Sequence, residues 1–104
     1  MAAFTLRLED TYWLKGFFNV PVDVERFVSD SDGAVDLFLG DAPTAIVGRV
    51  DRSANRNGTP RIFGNKVLAN YFQQNYVRGA RLPVEIISTT ALRIGGRTGA
   101  TNVA

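Results

Sequence analysis

Short runs of alternating apolar and polar residues, cut every few positions by turn residues, constrain this chain more than any other feature of its sequence. Residues 4–9 (FTLRLE) alternate, with Phe4, Leu6 and Leu8 on one side. A period of two puts every second side chain on one face of a strand, so this run predicts a half-buried strand. Residues 35–39 alternate again, with Val35, Leu37 and Leu39 together. In residues 45–50, Ile46 and Val50 face one way while Val47 and Arg49 face the other. Residues 17–20, 60–63, 82–87 and 91–94 read as four further short strands. The turn-rich stretches SDSDG (29–33) and GDAPT (40–44) separate strands.

Two segments break this rhythm toward helix. Pro21 suits the first turn of a helix over 22–28, with Asp23 and Glu25 at its positive end. Asn65 is the expected N-cap of a second helix. Its stripe is Leu68, Tyr71, Phe72 and Tyr76, a core-facing spacing, and Gly79 is its expected stop. Residues 10–16 (DTYWLKG) read as a loop carrying Tyr12, the single Trp13 and Lys15. There is no βαβ alternation and no internal repeat. The expected fold is mainly β: a seven-stranded open β-barrel with two short helices at the barrel ends. A chain of 104 residues supplies one modest core. Residues 1–94 are read as one domain. Residues 95–104 (GGRTGATNVA) read as a flexible tail or linker, and their Gly-Gly-x-x-Gly lacks the strand–helix setting of a phosphate loop.

Absent residue types narrow the chemistry. The chain has no Cys and no His. That removes disulfides, thiolate metal sites, histidine acid–base catalysis and histidine-dependent triads. A metal nuclease of the carboxylate–lysine kind needs an acid two residues before its lysine. The residues two before Lys15 and Lys66 are Trp13 and Gly64. Asp30, Asp32, Asp36 and Asp41 lack the spacing and the closing Glu of a calcium loop. No enzyme, metal or cofactor is expected of this chain. It has no apolar run of membrane-spanning length and no signal-peptide pattern, so a cytoplasmic location and no membrane partner are expected.

What remains is binding. The net charge is only +2, but the charges are unevenly placed. Residues 23–41 hold six acids and one base, whereas residues 42–81 hold seven bases and one acid. Either one face is basic or folding intermixes the two halves. The densest basic stretch is residues 49–66, RVDRSANRNGTPRIFGNK. Its middle, 52–59, runs from Arg52 to Thr59 and carries Arg52, Asn55, Arg56 and Asn57. Arg offers a fork matched to the acceptor edge of guanine, and Asn can pair a donor and an acceptor on adenine. Held out between strands, such a loop suits contact with base edges.

Several segments resemble a known family. Asn70-Tyr-Phe-Gln-Gln-Asn75 with Val77-Arg-Gly79 and Leu82-Pro-Val-Glu-Ile86 resembles the last helix and strand of B3-like DNA-binding pseudobarrels. Phe17-Phe-Asn-Val-Pro21 with Val24 to Phe27 resembles the family's second strand and first helix. Tyr12-Trp-Leu-Lys-Gly-Phe-Phe-Asn19 and Arg52-Ser-Ala-Asn-Arg-Asn-Gly-Thr-Pro-Arg61 place the resemblance nearest the recognition or effector domains of type II (IIE-like) restriction endonucleases. The likeness runs over residues 4–94, with one departure: Ala80 stands where the family has Asp.

The resemblance implies sequence-specific recognition of double-stranded DNA by two arms in the major groove. One arm maps to residues 11–16 and Asn19, the other to residues 52–61. Arg52, Asn55, Arg56 and Asn57 are then the expected base readers, Thr59 in the same loop a further expected DNA contact, and Arg49, Arg61 and Lys66 the phosphate contacts. Lys15 and Asn19 would reach bases from the first arm, with Tyr12 and Trp13 packed on sugar or phosphate. A nuclease domain of the same polypeptide is the implied partner, and the domain itself is expected to be monomeric. The alternatives are a single-stranded nucleic-acid or RNA-binding barrel, with Phe17, Phe18, Tyr71 and Tyr76 as stacking platforms, and a protein-interaction barrel.

Overall fold

The computed structural model of the chain describes residues 2–96. The strands are β1 (Ala2–Arg7), β2 (Phe17–Asn19), β3 (Gly33–Leu39), β4 (Ile46–Asp51), β5 (Arg61–Phe63), β6 (Arg81–Ser88) and β7 (Ala91–Ile94). They form one seven-stranded sheet in the order β1-β6-β7-β3-β4-β5-β2, curled into a nearly closed barrel. Every neighbouring pair is antiparallel except β3 with β7, which run parallel from Asp36↔Ala91 to Leu39↔Ile94. The open seam lies between the two edge strands, β1 and β2. There the Phe4 and Phe18 rings meet at 6.3 Å.

The period-two pattern sets which residues fill the barrel. Leu6, Val35, Leu37, Val50, Leu82, Val84, Ile86, Leu92 and Ile94 all point inward and are buried. Burial of side chains this size contributes roughly 1.5–3 kcal/mol each. Leu8, just past β1, is also buried: its N–H donates to Ala80 O and its carbonyl accepts from Gly79 N–H. Ala80 itself is fully buried at this turn.

The helices depart from expectation in kind and extent. Residues 10–16 are not a loop: Asp10–Lys15 form α1, in which Trp13 N–H donates to Glu9 O. Six residues are too few for a helical period to register in the sequence. The helix expected over 22–28 is a 3-10 helix, Val22–Phe27, with Val24 N–H bonded to Pro21 O and Val28 N–H to Glu25 O. The second helix, α2, spans Asn65–Asn75 and buries Leu68, Ala69 and Phe72. It ends short of Gly79, because Tyr76 turns to extended backbone. Asn65 is not its cap: Gly64 holds that place, and Asn65 begins the helix at φ 54. Asn tolerates the left-handed region better than most residues.

That bend has a cause in Gly16. Its carbonyl accepts both Gly64 N–H and Asn65 N–H, at 2.9 and 3.1 Å. A Cβ on Gly16 would lie 2.0 Å from Asn65 O and 2.7 Å from Ala69 N. With φ 75 as well, only glycine lets the end of α1 touch the start of α2. The tail read as a linker lies, from residue 97 on, outside the described residues. Gly95 is packed beneath the hydroxyls of Tyr71 and Tyr76.

Candidate nucleic-acid interface

Strand register builds one face of the barrel from residues far apart in sequence. β2, β5 and β4 lie side by side, pairing Phe17↔Phe63↔Arg49 and Asn19↔Arg61↔Asp51. The row between them, Phe18↔Ile62↔Val50, is fully buried. Alternation therefore turns the two outer rows to the outside of the barrel. There the Arg49 guanidinium lies over the Phe63 ring at 4.8 Å, and that of Arg61 over Phe17 at 4.6 Å. Tyr12 from α1 meets Phe17 edge-on at 5.5 Å.

Two segments bound this wall. At the Phe17–Phe63 end sit α1 and the start of α2, with Lys15 and Lys66 both exposed. They line a groove of about 490 Å³ with Leu14, Asn65, Ala69, Asn70 and Gln73. At the Asn19–Arg61 end, the loop of residues 52–60 folds over the strand ends. It shapes a cleft of about 520 Å³ lined by Asn19, Val20, Pro21, Val22, Asn55, Arg56, Asn57 and Thr59. The two segments expected as arms thus stand at opposite ends of the same short strands.

The loop is held by its own polar groups. Asp51 Oδ1 accepts Ser53 N–H at 2.8 Å and Ser53 Oγ–H at 2.7 Å. These bonds, the Ser53 hydroxyl first, hold the Asp51 carboxyl below the usual carboxylate range. Asn55 Nδ2 donates to Asn19 Oδ1, Thr59 O and Thr59 Oγ1. Arg61 Nε donates to Asn19 Oδ1 at 3.0 Å and its Nη2 to Asn55 Oδ1 at 3.1 Å. Asn57 Oδ1 accepts both the N–H and the Oγ1–H of Thr59. Thr59 is the one buried polar side chain of the described residues.

Arg52, expected to read bases, is turned the other way. Its Nε donates to Ser29 O, Nη1 to Glu25 Oε1 and Gly58 O, and Nη2 to Glu25 O and Val28 O. All five guanidinium N–H groups are thereby spent inside the protein, and the side chain is 16% exposed. Its backbone N–H donates to Asp32 Oδ1 at 2.7 Å. The acidic segment thus closes on the head of the basic loop, so the charge halves intermix there. Arg52 is an anchor.

Trp13 is likewise committed. Its Nε1–H donates to Tyr76 O at 3.0 Å, and Arg78 stacks on its ring at 4.8 Å. It seals the end of α2. The stacking platforms considered for single strands are also occupied: Phe18 and Tyr76 are buried, and Tyr71 packs edge-on against Tyr76. By contrast Arg56, at the loop tip, is exposed and has no partner among the described residues. Arg49 is exposed with a long contact of 3.7 Å to Asp51. Asn19, Asn55, Thr59 and Arg61 come together, with Asn57 bonded at Thr59. Lys15 and Lys66 gather at the far end.

Glu25 and Phe63 were missed as parts of this region, and Phe17 was read only as a stacking platform for single strands. Cross-strand register marks the two phenylalanines, but only once β5 is known to lie between β2 and β4. No group of three or more acidic side chains that could hold a metal ion occurs among the described residues. No described helix is long and apolar enough to cross a membrane. The chain matches no protein-family model, no curated protein and no solved structure.

Proposed function

We propose that this chain is a double-stranded DNA-binding domain that reads base edges in the major groove with the β2–β5–β4 wall and its two flanking segments. The observation that carries the reading is the wall itself: Arg49, Arg61 and Asn19 on the outer face of three paired strands, Arg56 beyond one end and Lys15 and Lys66 beyond the other. Three residues of strand rise about 10 Å, and three strands span a similar width. The major groove is about 12 Å wide. A rigid face of this size, bounded by cations, fits the groove floor while its ends meet the flanking phosphates.

The roles divide by what each side chain has left to offer. Arg56 and Asn57 on the loop, with Asn19 and Arg61 on the wall, face base edges. Arg49, Lys15 and Lys66 neutralise phosphates. Asn55 and Thr59 brace the loop from within, and Arg52 pins its root. The sequence resemblance to recognition and effector domains adds the biological setting: target recognition or effector binding for a restriction endonuclease, with a nuclease domain in the same polypeptide.

Selection of bound duplexes from a randomised pool at near-physiological salt tests the reading. A short, sharply defined motif is expected. Each phosphate contact should contribute about 0.9 to the slope of log affinity against log salt. Absence of duplex binding overturns the proposal, and retention without a motif removes its base-reading part.

A further inference from the structure

The hydrogen-bonding character of the cleft follows from which way its three asparagine amides point. Arginine has donors and no acceptor, so any amide atom that meets it must be the oxygen. Arg61 bonds to Asn19 through Nε and to Asn55 through Nη2. Both amide oxygens are therefore fixed toward Arg61. The same orientation sends Asn55 Nδ2 to Asn19 Oδ1 at 2.9 Å and to Thr59 O at 3.1 Å, so the two assignments agree. Asn57 is fixed independently, because the Thr59 backbone N–H can only donate to its oxygen.

The oxygens of Asn19 and Asn57 thus accept two bonds each, that of Asn55 accepts one from Arg61, and the nitrogen of Asn55 is spent on Asn19 and Thr59. What remains is the Nδ2 of Asn19, the Nδ2 of Asn57, the Nη1 of Arg61 and the whole guanidinium of Arg56. None of these has a hydrogen-bond partner among the described residues. The only enclosed, unpaired side-chain nitrogen or oxygen among those residues is Arg93 Nε. The free groups of the half-buried Asn19 and Arg61 therefore reach solvent. Every side-chain nitrogen or oxygen of the cleft left without any partner is therefore a donor.

We infer that this cleft selects guanine, and this rests on the DNA-binding reading above. Guanine offers two adjacent acceptors, O6 and N7, on its major-groove edge. Adenine and cytosine would place an N6 or N4 donor against these donors, and thymine offers one acceptor, O4, beside a methyl group, so guanine alone gives two adjacent acceptors and no donor. The pairing of asparagine with adenine that the sequence invites is closed, since it needs an amide whose oxygen and nitrogen are both free, and none of the three has that. A phosphate is also an acceptor-only ligand. The flat edge is favoured because two of the free donors belong to neutral amides, and the Arg61 guanidinium rests over the Phe17 ring at 4.6 Å.

The test uses the full chain and two randomised duplex pools, one made with guanine and one with 7-deazaguanine, which keeps pairing and charge but lacks N7. Selection from the first pool should yield a motif with guanine at a fixed position. Replacing that guanine by 7-deazaguanine should weaken binding about tenfold or more, while 7-deazaadenine elsewhere leaves it unchanged. Equal affinity for both pools overturns the inference, leaves the DNA-binding reading standing and assigns these donors to phosphate. No binding to either pool overturns both. Asn19→Asp supplies a second arm: it keeps the oxygen that Arg61 and Asn55 use and turns the free donor into an acceptor. Loss of guanine from the selected motif, with the unfolding midpoint retained, supports the inference. An unchanged motif counts against it. If the variant does not fold, the deaza comparison on the unaltered chain decides.

Discussion

Arginines 52 and 56 stand four positions apart in one loop and do opposite work. Arg52 gathers Glu25, Val28, Ser29 and Gly58 around one guanidinium. Arg52→Ala strands four carbonyl oxygens and a carboxylate and should cost about 2–4 kcal/mol in urea unfolding. Arg52→Lys should recover little of this, because a single ammonium cannot reach five donor positions in a fork. Arg56→Ala should shift stability by less than about 0.5 kcal/mol. In a duplex-binding titration it should cost about 1–3 kcal/mol and relax one position of the motif. Nothing in the local sequence separates the two arginines: both sit among Ser, Asn and Gly, and both match a base-reading pattern. The difference comes from the acidic segment 27 residues earlier, brought alongside by the turn into β3. Likewise, the asparagines were legible as candidates for base contact, but not that their oxygens would bond within the protein, since that depends on where Arg61 lands.

The strands were legible to within a residue or two because alternation reports directly on which face is buried. The helix over 22–28 was legible too, though not its 3-10 form, and α1 was not. α1 offers six residues, and its C-terminal end is set by the close approach of Gly16 to the first turn of α2. Gly16→Ala places a Cβ 2.0 Å from Asn65 O at a positive φ, so something must shift. The expected loss is about 2–4 kcal/mol by thermal or urea unfolding. In a variant that still folds, Lys15 and Lys66 should move relative to the wall, and DNA affinity should fall more than the salt slope does. The tyrosine stripe of α2 was correctly read as packing. Its partner, Gly95, was assigned to the tail because glycine pairs read as linkers when their neighbours in space are unknown. Here both tyrosine hydroxyls come down on that glycine.

For the molecule as a whole, the half-buried phenol at Tyr71 sets an alkaline limit. Burial, reinforced by the Tyr76 hydroxyl, raises its pKa above the ordinary 10.0. A phenol held neutral in the fold contributes stability that is complete below the unfolded pKa and is lost as pH climbs toward the folded one. Denaturation midpoints should therefore stay level up to about pH 10 and fall above it. Tyr71→Phe, though weaker at neutral pH for loss of its bond to Ile94 O, should show a smaller fall. The order of the strands carries a different kind of consequence. β7 is the last strand in the chain yet sits third in the sheet, between β6 and β3. It alone joins the pair β1–β6 to the group β3-β4-β5-β2. Until it arrives, a growing chain holds two half-sheets with no ladder between them. Closure must then wait on four residues, Ala91–Ile94, delivered after everything they connect. Such dependence on distant pairing slows folding, toward the millisecond-to-second range of barrels. It also makes the transition all-or-none: a ribosome stalled before Ala91 carries a chain with the whole β2–β5–β4 wall already made and no barrel to hold it.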